Sequence, residues 1–194
     1  MSLRKEQKAN TRAKIKSVAK EAFLTKGIEA TSTRYLSQKS GIAVGTLFVH
    51  FPDKLSLVKD IFFEEMDSAL RAGAVSQTVC SSPIDYLLQM AQVLFDFFDD
   101  YAEFTQQILL DSIVKGGFHT NQMAVISDGI ISRFKQAGVD EKTAEIFSEN
   151  MVSNYWYILL NSLPTGTLGQ ASINQLKRLN LPFEVSYNNA AKNQ

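Results

Sequence analysis

The chain has 194 residues, 20 basic and 20 acidic, and so no formal net charge. Its 45% hydrophobic content can fill a core, and its single cysteine, Cys80, excludes an internal disulfide framework and any multi-cysteine metal site. No stretch approaches the roughly eighteen uninterrupted apolar residues of a membrane span, so no membrane association is expected. The charges are unevenly placed. Residues 1–60 hold twelve basic residues against five acidic ones, and the remainder holds eight against fifteen. A basic head on an acidic body suits a local contact with a polyanion such as DNA better than indiscriminate binding. The polar, basic opening of the chain has no secretory pattern, and with the lone cysteine it predicts a cytoplasmic location.

Taken in order, the chain reads as helices throughout. Residues 7–26 carry Ile15, Val18, Ala19, Ala22 and Phe23 at three- and four-residue steps, and Gly27 is a C-terminal cap. Residues 32–51 then form two short helical runs around Ser40-Gly41-Ile42, with Leu36, Ile42, Leu47 and Phe51 available to pin them together. Two short helices across a glycine-containing turn are a helix-turn-helix signature. Pro52-Asp53 closes the motif, and a helix over 54–72 follows with Leu55, Val58, Ile61, Phe62, Met66 and Leu70 on one face. Residues 73–82 read as a loop. Further helices are expected over 83–101, 103–115, 119–137, 140–163 and 168–180, and all four prolines fall at expected boundaries. The Asn- and Ala-rich tail after Pro182 is expected to fray. The fold class is therefore all-α. A three-helix N-terminal segment over 1–53, carrying the motif and the excess basic charge, precedes a helical body over 54–184 and a tail over 185–194.

Gly27, Thr31-Ser32, Ser40-Gly41-Ile42, the run Gly45-Thr46-Leu47-Phe48-Val49-His50-Phe51, and Lys54 with Leu57 agree in identity and spacing with a known pattern. The stretch resembles the DNA-binding segment of the tetracycline-repressor (TetR) family of transcriptional regulators. Departures from that family's pattern are Tyr35 at a usually acidic position, Ala43 where a capping Ser is common, Phe48 in place of Tyr, and Val49 at an often larger or polar position. The resemblance implies a transcriptional regulator, most often a repressor, that binds double-stranded DNA as a homodimer. The second motif helix would enter the major groove, with half-sites about one turn apart. Carried over position by position, Thr33 and His50 would contact phosphates, as would Lys54. Arg34 would read a base edge or a phosphate, Thr46 a base edge or a thymine methyl, and Val49 a thymine methyl. Phe48 would pack along the sugar-phosphate, and Gly45 would let the backbone come close.

The resemblance also implies a small apolar or amphipathic effector, of unknown identity, inside the C-terminal body. Candidate contacts are Phe62, Met66, Phe95, Phe98, Phe104, Ile108, Met123, Tyr155 and Trp156, although a helical bundle needs the same residue types for its core. The polar handles of Tyr155 and Trp156 want partners. Asp96 and Asp111 lie in apolar-rich helices, where a solvated carboxylate competes with a role in holding a cation. The helices over 140–163 and 168–180 are expected to pair with their mates in a two-fold four-helix bundle. No cofactor motif is present, and Cys80 and His119 lack the surroundings of a nucleophile–base set, so no enzyme activity is expected. Two alternatives are a regulator controlled by a protein partner instead of a diffusible ligand, and a helical interaction protein that does not bind DNA.

Overall fold

Local signals account for most of the helix ends. The computed structural model describes residues 3–75, 82–102, 104, 105, 108, 120–163 and 166–192, and among them there is no strand. Helix α1 spans Leu3–Lys26. It starts before the expected residue 7: residues 3–10 are all exposed, so no apolar period marks the beginning in the sequence. The motif helices are α2, Thr33–Ser40, and α3, Val44–His50. Ser32 caps α2 by accepting the Tyr35 N–H at 3.1 Å. Gly41 ends α2 in the left-handed region, at φ 67° and ψ 37°. That conformation lets the Ile42 N–H reach back to the Ser37 carbonyl at 3.0 Å and turns the chain into α3.

Helix α4 covers Lys54–Val75, α5 Pro83–Asp100, α6 Thr120–Gln136, α7 Glu141–Ser162 and α8 Gln170–Lys192. Asp53, Ser82 and Asp140 accept the backbone N–H groups of Ser56, Asp85 and Thr143 at the starts of α4, α5 and α7. Residues 104, 105 and 108 are helical, and Phe104 and Ile108 are buried. The rest of the helix expected over 103–115, with Asp111, Cys80 and His119, lies outside the described residues.

The chain divides into two compact units. The first runs to Glu65 and takes in Phe104, Thr105 and Ile108; the second holds Met66–Ala102 and the helices from α6 on. In the first unit α1 packs on α2 and α2 on α3. Phe104 joins them by an edge contact with Phe23, ring centroids 5.9 Å apart, and a stack on Phe62 at 6.5 Å. Arg12 pairs with Asp60 at 3.0 Å and Lys20 with Glu65 at 2.7 Å, while Lys16 pairs with both Asp60 and Glu64. Each such solvent-facing pair is worth only about 0.2–1 kcal/mol, so together they fix the register of α1 on α4 more than they stabilise it. These pairs and the buried Leu57, Val58, Ile61 and Phe62 tie the first half of α4 to the N-terminal unit, beyond the expected functional boundary at 53/54.

In the second unit α5 packs on α6 and α8, and α7 packs on the same two helices. Glycines permit two of the close approaches. Gly73, expected in a loop, is helical, and a Cβ there would lie 2.8 Å from Val93 Cγ2 on α5. A Cβ on Gly129 of α6 would collide with the ring of Tyr86. Polar seams also cross the unit: Ser127 and Ser148 hydroxyls meet at 2.8 Å, Ser172 donates to Ser162 at 3.1 Å, and Asn154 donates to Asn180 Oδ1 at 3.1 Å.

Pro182 is a correction to the expected boundaries. It lies inside α8, which continues to Lys192, so the tail after it does not fray as expected. Proline forfeits one helical hydrogen bond. Phe183 and Tyr187, four residues apart and so on one face, offset that loss. Phe183 lies 5.3 Å from the Phe147 ring, and Tyr187 lies 6.2 Å from that of Phe134.

Candidate nucleic-acid interface

Helix α3 is anchored on one side and open on the other. Leu47 is fully buried, and Phe51, just past the helix end, is 1% exposed. Val44, Phe48 and Val49 are exposed, Val49 by 73%, although all three are apolar. Gly45 shares that open side, and a Cβ built there would meet nothing within 4 Å. Among the described residues nothing requires glycine at 45. Thr46 is half-buried at the margin. The helix begins at Ala43 without a side-chain cap, so its first N–H groups lack a protein acceptor from that residue. On α2, Arg34 is exposed and Thr33 half-buried at the first helical position.

His50 is held at the other end of α3. Arg12 of α1 donates to the His50 carbonyl at 2.6 Å, and its guanidinium lies 4.1 Å from the Phe51 ring centroid. Arg12 is thus engaged with α3 and Asp60. The His50 Nδ1 is buried without a partner. A proton there would have no acceptor, so the neutral ring keeps its proton on Nε2, a hydrogen-bond donor. Desolvation, then the positive charges of Lys8 and Arg12, lower the His50 pKa from its ordinary value.

Lys54 is half-buried. Its ammonium donates to the Ile28 carbonyl at 2.8 Å and lies 4.0 Å from the Glu29 carboxylate. It therefore fastens the connection between α1 and α2 and retains further N–H donors. Lys26 and Lys39 lie over the Tyr35 ring at 3.9 and 5.9 Å, so the aromatic residue at this usually acidic position gathers cations on its face. Lys8, Lys14, Lys26, Arg34 and Lys39 are all exposed.

The candidate effector residues separate. Phe62, Phe104 and Ile108 are buried in the first unit. Met66, Phe95, Phe98 and Tyr155 are buried in the second, where Met123 and Trp156 are half-buried. Phe95 stacks on Tyr155 at 5.7 Å, and Trp156 meets the edge of Tyr155 at 5.9 Å. The Tyr155 hydroxyl is buried without the expected partner, and burial pushes its pKa upward. Asp96 is exposed and accepts from Gln92.

A cavity of about 330 Å³ in the second unit is lined by none of these residues. Its walls are Asp67, Leu70 and Arg71 of α4, Tyr86 and Met90 of α5, and Gln122, Val125 and Ile126 of α6. The signal that could have found it is Gln122, which falls on the four-residue stripe of Ile126, Ile130 and Phe134, where an apolar residue would be expected. Among the described residues no helix is long and apolar enough to cross a membrane, and no cluster of side chains could hold a metal.

A short exposed helix set by a left-handed glycine turn, with a basic surround, defines a helix-turn-helix DNA-binding protein. Residues 15–61 match the model of the bacterial regulatory proteins, tetR family. An HTH-type transcriptional regulator of Staphylococcus aureus (strain USA300) is 27% identical, with 57% of this chain and 81% of that protein covered. A tetR-family transcriptional regulator from Streptomyces coelicolor has the same fold, with a TM-score of 0.60, 17% identity, and 96% and 84% of the two chains covered. The multidrug binding protein EbrR complexed with imidazole also shares it, with a TM-score of 0.54, 20% identity, and 87% and 88% covered. The N-terminal segment over residues 15–61 thus matches the tetR family of bacterial regulatory proteins, and the relatives that the chain resembles are transcriptional regulators.

Proposed function

We propose that the chain is a repressor that binds a two-fold-related operator as a homodimer and leaves it when a small amphipathic molecule enters the C-terminal body. The exposed side of α3 carries this reading. Three apolar side chains and an unobstructed glycine are kept in water there, at a cost that contact with a groove would recover. Thr46 and Val49 would meet base edges and thymine methyls, and Phe48 the sugar-phosphate. Thr33, His50 Nε2 and Lys54 would bind phosphates, with Arg34 on phosphate or base. The dimer reading is supported by apolar residues left exposed on the last two helices: Ile146, Tyr157 and Leu160 on α7, Leu181 and Val185 on α8. The cavity beside α4 supports the effector reading, as does the small-molecule complex of EbrR, a protein of the same fold. Functionally, residues 1–53 would form the DNA-binding domain and 54–184 the regulatory one. An effector that favours one conformation of α4 would act only through its different affinities for the two states.

A footprint on the DNA flanking the gene tests the proposal. Two protected half-sites about one helical turn apart are expected, with affinity falling steeply as salt rises. A purified dimer that protects no DNA at low salt would refute it.

A further inference from the structure

A residue in the wall of the cavity beside α4 carries an unsatisfied acceptor. Gln122 is 8% exposed, its Nε2 donates to Asp67 Oδ1 at 3.0 Å, and its Oε1 is buried with no partner. The orientation of the amide follows from the carboxylate, which can only accept, so the orphan is the carbonyl oxygen. A buried, unpaired amide oxygen is destabilising, and a bound donor would recover that cost. It lies beside a carboxylate in the same cavity, and Leu70, Met90 and Ile126 supply an apolar wall.

We infer that this cavity takes an amphipathic molecule with an apolar, ring-sized body and a head bearing at least two N–H donors, a primary ammonium or amidinium. One N–H would satisfy Gln122 Oε1, a second would reach Asp67, and the positive charge would complement the carboxylate. A volume of about 330 Å³ accommodates a bicyclic aromatic amine. Arg71 also lines the cavity, but it is exposed, so water screens its charge. A carboxylate-headed ligand would find that guanidinium but would leave Gln122 Oε1 without a donor and face Asp67. The inference deepens the effector reading given above and rests on it only for the consequence at DNA; the cavity's chemistry stands by itself.

Titration calorimetry with three probes of one shape tests it: tryptamine, 3-propylindole and indole-3-propionate. Tryptamine is expected to bind at least about tenfold more tightly than either of the others. Gln122→Leu and Asp67→Asn should each erase most of that preference while the chain stays helical by circular dichroism. Gln122→Leu should also raise the melting temperature, since it removes the unpaired oxygen. Equal binding of tryptamine and 3-propylindole, tighter binding of indole-3-propionate, or no tryptamine binding at millimolar concentration would overturn the inference. Should Gln122→Leu fail to fold, Asp67→Asn and the three probes on the unaltered protein decide the matter. Tryptamine binding without release of DNA would leave the site standing and remove only the effector reading.

Discussion

Replacing Gly45 by alanine should move stability and DNA affinity in opposite directions. Gly45 is the second residue of α3, and its backbone is helical. Glycine in a helix is worse than alanine by about 0.5–1 kcal/mol, because the unfolded chain loses more freedom on ordering. A Cβ at 45 would touch nothing within 4 Å, so no steric penalty offsets that gain. Gly45→Ala should therefore raise the melting temperature by about 1–4 °C, followed by circular dichroism. If the backbone at 45 lies against the phosphates or base edges, the new methyl occupies the space the nucleic acid needs. Losing one charge-assisted backbone contact costs about 1.5–3 kcal/mol, or roughly 10- to 150-fold in affinity per half-site. Fluorescence anisotropy with operator DNA, at the salt concentration used for the unaltered protein, reads this directly. A more stable variant that binds DNA as tightly as before would refute the assignment of this side of α3 to the groove.

Ala43→Ser should stabilise α3 by about 1 kcal/mol, since Ala43 occupies the N-cap and provides no acceptor; the midpoint of urea unfolding measures it. Lys54→Ala should lower both DNA affinity and thermal stability. It removes one of the hydrogen bonds to the Ile28 carbonyl, which keeps that from the Thr31 N–H, for a loss of about 1 kcal/mol by urea unfolding, and calorimetry that detects no destabilisation would discount that internal role. His50 gives two pH effects of opposite sign. Its folded pKa lies below the ordinary 6.5, so the unfolded chain binds more protons between the two values. Stability should thus fall as pH drops from 6.5 toward the folded pKa, and unfolding of His50→Gln should lack that component. A phosphate beside Nε2 would raise the pKa in the complex, so DNA affinity should strengthen over the same drop, and the variant should lose this dependence too.

The N-terminal unit was legible residue by residue because its signals are local. Ser32, Gly41 and Asp53 act on backbone groups within a few positions of themselves, and Leu36, Leu47 and Phe51 mark their helix faces by spacing. The helices of the body were legible as stripes, but their mutual arrangement was not. Gly73 looked like the start of a loop and turned out to be a close crossing with α5. Pro182 looked like a stop, yet α8 continues because rings on α6 and α7 receive Phe183 and Tyr187. The aromatic residues proposed for an effector are largely core, whereas the open cavity falls to Asp67, Tyr86 and Gln122 from three different helices.

By itself, then, the sequence determined the all-α class, the helix-turn-helix and which side of α3 stays open, because capping, turn geometry and amphipathic spacing act within a few residues. Tertiary structure alone decided that Arg12 and Lys54 brace the motif internally. It alone left the Gln122 oxygen without a partner in the wall of the cavity. Both outcomes depend on which distant side chain arrives alongside, and no local period encodes that.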